Sequence, residues 1–126
     1  KFKRSSLVET NFASGCVIGD SDFKRCVLGV RSIIGDECSF ENVVMMGADN
    51  YEAVDSQKIA VGVGSNSKIE NAIIDKNARI GKDVQLSPAG VEDGWADDGE
   101  NVYVRDGIVV VVKNGIVPDG TRIGAL

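Results

Sequence analysis

The feature that most constrains the fold of this chain is a recurrence of large apolar residues at every sixth position. A small residue usually stands two places before each of them. The three runs are Leu28, Ile34, Phe40 and Met46 after Cys26, Ser32, Cys38 and Val44; Ile74, Ile80 and Leu86 after Ala72, Ala78 and Val84; and Val111, Val117 and Ile123 after Val109, Gly115 and Thr121. A period of six fits neither an α-helix nor an alternating strand, whereas hexapeptide repeats are typical of a parallel β-helix.

The spacing predicts the shape of one repeat. Each hexapeptide forms one flat side of a triangular coil, so that three repeats, ~18 residues, close one turn. Both apolar positions point inward, because residues two apart share a face of a strand. A glycine often follows the large residue, as in Ile18-Gly19, Leu28-Gly29, Ile34-Gly35, Met46-Gly47, Val63-Gly64, Ile80-Gly81 and Ile123-Gly124. Glycine suits a sharp corner because it tolerates positive φ and close backbone approach.

We therefore predict an all-β fold, a left-handed parallel β-helix of hexapeptide repeats. Left-handedness is usual for this repeat and is an exception to the right-handed crossover rule; the spacing itself leaves the hand open. Two segments, 48–58 and 87–102, lose the pattern and are predicted to project as loops. Residues 1–12 show little pattern and are predicted to be a linker or a remnant of an upstream domain, which leaves 13–126 as the β-helix domain. The repeat also slips, with a step of ten from Ile18 to Leu28 and of five from Ile69 to Ile74.

Composition narrows the function. A chain of 126 residues is one domain, and its net charge of −5 argues against a nucleic-acid partner. No apolar run reaches membrane-spanning length and no signal or transit peptide is visible, so no membrane partner is expected. The chain starts without methionine, and we expect it to be a fragment of a longer protein.

The three cysteines and the lack of histidine bear on chemistry. Cys16, Cys26 and Cys38 each stand two places before a large apolar residue and are interpreted as small buried hydrophobes in a reducing compartment. Without histidine or a CxxC motif, no zinc site is predicted. Many hexapeptide β-helix proteins are acyltransferases that use a histidine base, and related carbonic anhydrases bind zinc through histidines. This chain lacks those groups, which disfavours an acyltransferase and favours a regulatory, assembly or binding element.

Several strings together resemble one family. They are VLGVRSIIG and VVMMGADNYE, then VGVGSNSKIENAIIDKNARIG, then YVRDGIVVVVKNGIVPDGTRI. They are similar to the C-terminal β-helix domain of glucose-1-phosphate adenylyltransferase (ADP-glucose pyrophosphorylase) of plants, algae and cyanobacteria, over roughly residues 13–124. The Arg of YVRDG and the Asn of GSNSKI resemble a large, regulatory subunit. The loop 91–100 departs from the land-plant pattern, which indicates an algal or otherwise divergent source.

The resemblance implies a parent nucleotidyltransferase that makes ADP-glucose and pyrophosphate from ATP and glucose 1-phosphate for starch or glycogen synthesis. Its ATP and magnesium belong to an N-terminal catalytic domain that these residues do not include. No catalytic residue and no cofactor are therefore expected in this fragment. The expected location is the plastid for a plant or alga, and the cytoplasm for a cyanobacterium.

The same resemblance implies partners and a site. The family's β-helix domain contacts its own catalytic domain, helps to assemble a tetramer and supplies part of an allosteric anion site, where 3-phosphoglycerate activates and phosphate inhibits. The matching motif positions are Lys76 and Lys113. The residues themselves agree, since corner side chains from neighbouring coils can converge and two ammonium groups favour an anion between them. Arg79, Lys82 and Arg105 are weaker candidates for the same site.

One acidic segment offers another reading. Its carboxylates are Glu92, Asp93, Asp97, Asp98 and Glu100. They do not follow an EF-hand spacing, and a solvated loop is favoured over a cation site. Trp95 within this segment could contact a partner chain or the absent domain. The alternative for the whole chain is a purely structural β-helix of another sugar nucleotidyltransferase.

Overall fold

The computed structural model describes residues 4–53, 55 and 57–126, in which regular structure consists of short strands. The strands are β1 (Ser6–Val8), β2 (Asn11–Phe12), β3 (Val17–Ile18), β4 (Asp22–Leu28), β5 (Ile33–Ile34), β6 (Ser39–Met45), β7 (Gly62–Val63), β8 (Lys68–Ile74), β9 (Arg79–Ile80), β10 (Gln85–Leu86), β11 (Val102–Arg105), β12 (Ile108–Val111), β13 (Ile116–Val117) and β14 (Arg122–Ile123). In the part of the chain that is described, no helix has the length and apolar character needed to cross a membrane.

The strands stack turn upon turn in a parallel β-helix, which confirms the predicted fold class. One sheet has the order β13-β9-β7-β5-β3, and the other follows β1-β4-β6-β8-β10-β14 with β2, β11 and β12 beside that path. Among the described strands, every pair is parallel except the β11–β12 hairpin. The long strands β4, β6 and β8 each bend round a corner at a residue with positive φ.

A turn without a projecting loop contains seventeen residues, or sixteen at the start of the coil, where Ile18 pairs with Ile34, against the ~18 that the hexapeptide pattern predicts. Phe23 pairs with Phe40 and Ile69 pairs with Leu86, in each case seventeen positions later. One side of each such turn spans five residues between core positions, as from Ile69 to Ile74. The step of ten after Ile18 is two such short steps, since Phe23 is buried midway. The steps of ten and five residues that interrupt the six-residue period thus both reflect a five-residue side that recurs along the coil.

The short side corrects two predicted core positions. Met45 is 4% exposed and Val43 is fully buried, whereas Met46 is 46% exposed and Val44 is 39% exposed. Because the side that begins at Phe40 is one residue short, the inward-facing phase moves by one. The other large residues of the three runs are buried as predicted, with Ile123 at the last turn the most exposed of them at 8%.

The glycines that follow core residues act mainly by allowing turns to approach. A Cβ on Gly35 would lie 2.7 Å from the backbone nitrogen of Ser65, and one on Gly64 would lie 2.7 Å from the carbonyl carbon of Gly81. Neither glycine has positive φ. Positive φ occurs instead largely at corner residues that carry side chains. The expectation that glycine adopts positive φ after a large apolar residue is therefore wrong for most of these apolar-glycine pairs.

The coil begins earlier than predicted. Strands β1 and β2, which lie within the segment assigned to a linker or remnant, both pair in parallel with β4. Residues 6–12 therefore belong to the first described turn. Farther along, the chain leaves the coil after β6 and after β10. The second excursion returns through the hairpin β11–β12, whose second strand pairs with β8.

The cysteines lie in the core, as predicted. Cys16, Cys26 and Cys38 are each at most 3% exposed. Burial raises the pKa of the Cys26 and Cys38 thiols, because a thiolate would lose its hydration there. Buried serines occupy equivalent small slots elsewhere, and Ser67 satisfies its hydroxyl by donating to the carbonyls of Gly64 and Gly81.

Candidate anion site at one corner of the coil

Three corners of the coil are marked by residues with positive φ, and we name each corner after one of them. The Asn71 corner contains Arg25, Asn42 and Asn71; the Asn77 corner contains Arg31, Asn77 and Asn114; and the Asp83 corner contains Glu37, Asn66 and Asp83. Left-handed backbone favours Asn and Asp over most other side chains, which explains their abundance at these positions. The corners decide which predicted cations can meet.

Lys76 and Lys113 lie at the Asn77 corner on adjacent turns. Val111 of β12 pairs with Ile74 of β8, and the Asn114 amide donates to the carbonyl of Lys76 at 2.9 Å. The same register places Lys113 directly beside Lys76, one strand spacing (~4.8 Å) along the axis. The structure therefore brings the two motif lysines together, as expected of corner residues on neighbouring coils.

A carboxylate already contacts this corner. Asp49 lies a few residues after β6, just beyond Gly47. Its Oδ1 forms an ion pair with Lys76 Nζ at 3.1 Å. Asn77 holds the same residue twice, because its Nδ2 donates to Asp49 Oδ2 at 3.0 Å and its Oδ1 accepts from the Asp49 amide at 3.0 Å. Both side chains of the ion pair remain about half exposed, at 46% for Lys76 and 50% for Asp49. The contact is thus open to solvent.

Both lysines act electrostatically on the Asp49 carboxylate. Hydrogen bonds from Asn77 and Lys76 lower the pKa of the Asp49 carboxyl, and the charge of Lys113 lowers that pKa further. Lys113 therefore lies close enough to act on the same carboxylate. Among the described residues, none accepts a hydrogen bond from the Lys113 ammonium at the distances of a formed contact. The corner thus combines two cations and the Asn77 amide donor with the Asp49 carboxylate, and the neighbouring Asp75 carboxylate accepts from the Lys76 backbone amide at 2.6 Å. Lysine and amide donors of this kind are suited to carboxylate and phosphate oxygens.

Arg79 is occupied by a different contact. Its Nη1 and Nη2 lie 2.8 Å from Glu52 Oε1 and Oε2, and Nη1 also donates to the carbonyl of Ile59 at 2.8 Å. Glu52 in turn accepts from the Val61 amide. These contacts hold the segment after β6 against the side of the coil, and they lower the pKa of Glu52 to about 2. Arg79 therefore anchors this segment.

The other two weaker candidates lie at other corners. Lys82 directly precedes Asp83, and its carbonyl accepts from Gly120 at the Asp83 corner. Arg105 pairs with Ile108 at the tip of the hairpin, beside the Asn71 corner. A side of the coil separates each of them from the Asn77 corner. The structure thus brings Lys76 and Lys113 together without Lys82 or Arg105.

One comparison with known proteins bears on identity. The family model described as the GLGC left-handed parallel beta-helix domain matches residues 1–122, nearly the whole chain. The chain belongs to this family. Membership of the GLGC β-helix family agrees with the parallel coil and fits the left-handed form predicted. It also supports assignment to the C-terminal domain of glucose-1-phosphate adenylyltransferase, and it suggests a nucleotidyltransferase parent.

Two residues of this GLGC-type coil were missed by the sequence reasoning. Asp49 lies in a segment predicted only as a loop, and nothing local shows that it contacts Lys76, 27 positions later. Arg31 occupies the Asn77 corner two turns before Asn77, and its Nε donates to the carbonyl of Ala48 at 2.9 Å. Counting three residues from each core position that precedes this corner would have found Arg31, because Leu28 and Ile74 stand at equivalent places.

The acidic segment after β10 is ordered by local hydrogen bonds. Asp97 Oδ1 accepts from the Val102 amide, and Asp93 Oδ1 accepts from the Asp106 amide. Trp95 is partly buried against the core of its own chain, and its carbonyl accepts from Val104. Two of the carboxylates thus cap backbone amides of the hairpin that returns the chain to the coil.

Proposed function

We propose that this domain is the regulatory and assembly element of a glucose-1-phosphate adenylyltransferase. In this proposal the catalytic domain elsewhere in the parent binds ATP and magnesium and makes ADP-glucose. The β-helix supplies part of an allosteric anion site at the Asn77 corner, formed by Lys76 and Lys113. The effectors are 3-phosphoglycerate as activator and inorganic phosphate as inhibitor.

The observation that carries the proposal is the stacking of Lys76 and Lys113 on adjacent turns. The backbones of the two lysines lie about one strand spacing apart, so their ammonium groups can approach and repel each other, and an anion between them relieves that repulsion. The strand pairing fixes the backbone positions from which both side chains extend, so the two lysines are held on adjacent turns before a ligand arrives. Lysine is a compact charge suited to phosphate and carboxylate oxygens. A phosphorylated carboxylic acid offers one anionic group to each turn.

The Asp49 contact supports the choice of ligand. A carboxylate oxygen lies 3.1 Å from Lys76 Nζ, and the other accepts from the amide of Asn77. The corner therefore has the geometry to receive an anionic oxygen pair. An effector carboxylate or phosphate that takes this position would meet the same donors, with Lys113 added from the next turn.

Substitutions in the whole enzyme test the anion site. We expect Lys76→Ala and Lys113→Ala to raise the half-saturating concentration of 3-phosphoglycerate at least ~10-fold, because each removes a charge-assisted contact of about 1.5–3 kcal/mol. Effector-free turnover is measured alongside. Lys68→Ala is the matched control, since it removes an exposed lysine from β8 away from this corner. Unchanged activation in both corner variants would exclude the site.

A second part of the proposal concerns assembly. Val27, Val44 and Ile73 are exposed, and they stack in register on the outer face of the side that leads to the Asn77 corner. A flat apolar column of this kind favours packing against another subunit or domain. We expect Val44→Lys to shift the whole enzyme toward smaller species in sedimentation velocity. Val17→Lys, an exposed valine in β3 of the other sheet, is the control, and equal behaviour of the two variants would contradict the assembly role.

The alternative, a purely structural β-helix in another sugar nucleotidyltransferase, predicts a different result. In that case the whole enzyme would bind neither phosphate nor 3-phosphoglycerate through this domain. Titration calorimetry with each anion, on the parent and on Lys113→Ala, separates the two. Equal affinity for both proteins would favour the structural reading.

A further inference from the structure

We propose that Asp49 is an internal counter-anion of the lysine corner, which an effector must displace from Lys76. This inference rests on the proposed anion site and adds a mechanism of regulation to it. It follows from the position of the Asp49 carboxylate, which occupies the donors that the ligand needs. Without effector the Lys76 ammonium is paired within its own chain, and with effector it is paired with the ligand.

The carboxylate satisfies the donors of the corner rather than lying near them by chance. Each of its oxygens has a separate partner, Lys76 Nζ for Oδ1 and Asn77 Nδ2 for Oδ2. Hydrogen bonding to these groups and the nearby charge of Lys113 keep the carboxyl ionised at neutral pH. A ligand oxygen therefore competes with an occupied position.

The backbone that carries Asp49 is fixed independently of its carboxylate. The Asp49 amide donates to Asn77 Oδ1, and two positions later the Tyr51 hydroxyl donates to the carbonyl of Gly15 at 2.7 Å. The next residue, Glu52, is held by both guanidinium nitrogens of Arg79. Displacement thus requires rotation of one side chain and leaves the segment in place. When the ligand dissociates, the carboxylate returns from a short distance.

The exposure of the pair determines how strongly Asp49 competes. Lys76 and Asp49 are each about half exposed, so their ion pair is of the weak, solvent-screened kind. An internal competitor multiplies the apparent affinity of a ligand by the fraction of time that the site is free, which raises the apparent dissociation constant. For a contact of this kind we expect a penalty of ~5-fold, which a doubly charged phosphate can overcome.

The test measures anion affinity in the whole enzyme with and without the competitor. Asp49→Asn keeps an oxygen that can accept from Asn77 and removes the charge. We expect the dissociation constant of inorganic phosphate and the half-saturating 3-phosphoglycerate concentration both to fall ~5-fold. Glu70→Gln is the matched control, because it removes one negative charge from β8 on a different side of the coil. Unchanged or weaker anion binding in Asp49→Asn would overturn the inference.

Combined variants separate this inference from the proposed function. If Asp49 acts by occupying Lys76, then Asp49→Asn has no further effect on phosphate affinity in a Lys76→Ala background. If Lys76→Ala and Lys113→Ala weaken binding but Asp49→Asn changes nothing, the anion site stands and the competitor is refuted. If the lysine variants bind both anions normally, the site and the inference fail together. Asp49→Ser provides a second removal of charge should the asparagine perturb the segment.

Discussion

The Arg79 guanidinium and the Glu52 carboxylate form a two-pronged ion pair, with both nitrogen–oxygen distances at 2.8 Å. Arg79 begins β9 and Glu52 lies in the segment that leaves the coil after β6, so the contact ties the excursion to the scaffold. The pair lies on the side that follows the lysine corner. It therefore fixes the segment that carries Asp49 without taking part in the corner itself.

This ion pair predicts a defined pH dependence of stability. The pKa of Glu52 falls from 4.5 to about 2 in the folded protein, so its stabilising contribution is complete above pH 4.5 and is lost as the pH falls toward 2. We expect Glu52→Gln to lower the free energy of unfolding by about 1 kcal/mol at pH 7, after allowance for solvent screening. Urea unfolding between pH 7 and pH 3 measures the difference in the free energy of unfolding between the unchanged protein and Glu52→Gln. We expect this difference to become smaller toward pH 3. A difference that stayed constant with pH, or an equal loss in Glu92→Gln at an exposed loop position, would contradict this assignment.

The close approach of turns predicts a cost for side chains at repeat glycines. In Gly35→Ala the new Cβ would lie 2.7 Å from Ser65 N and 2.9 Å from Ser65 Cα, both of them backbone atoms. We expect a loss of about 3 kcal/mol, since backbone must move to relieve the overlap. In Gly90→Ala no atom lies within 4 Å, and only the φ of +76° opposes the change, so that a loss of about 1 kcal/mol is expected. Similar losses in the two variants, measured by thermal unfolding, would argue against steric contact as the cause.

The shortened side predicts opposite behaviour for two adjacent methionines. Met45→Gln buries an amide among apolar side chains and is expected to cost about 2–3 kcal/mol. Met46→Gln replaces an exposed side chain and is expected to change the free energy of unfolding by less than about 0.5 kcal/mol. Chemical denaturation of both variants checks the register. An uninterrupted six-residue repeat would place Met46 in the core instead of Met45, and it therefore predicts the larger loss of stability for Met46→Gln.

The sequence predicted the coil and most of its core because burial imposes a period that survives in the residues themselves. It misplaced Val44 and Met46 because the residues beside them, Val43 and Met45, are equally apolar, so that hydrophobicity alone does not fix the phase. Pairing with β4 and β8 decides the phase, and pairing between turns is not visible in a local pattern. The hairpin β11–β12 was also missed, although its Asp106-Gly107 turn, with positive φ at both residues, is a local hairpin signal.

The candidate site was predictable only in part. Lys76 and Lys113 stand at matching motif positions, and their meeting follows once the turns are stacked in register. Asp49 could not be found in this way, because its contact with Lys76 joins a non-repeating segment to the coil. From the sequence, Arg79 was a candidate for the same anion site as Lys76 and Lys113. Its pairing with Glu52 depends on how the same segment folds back.

The backbone pairing of neighbouring turns has a consequence for how such a site can change over time. The backbone positions of Lys76 and Lys113 are set by pairing between neighbouring turns, including the bond from the Asn114 amide to the Lys76 carbonyl, which does not depend on either lysine side chain. The excursion after β6 adds residues without disturbing this alignment, since β6 and β8 still pair along their length. Mutation can therefore vary the segment that faces the two lysines, in length and in charge, while the backbone register of the two lysine positions is inherited unchanged.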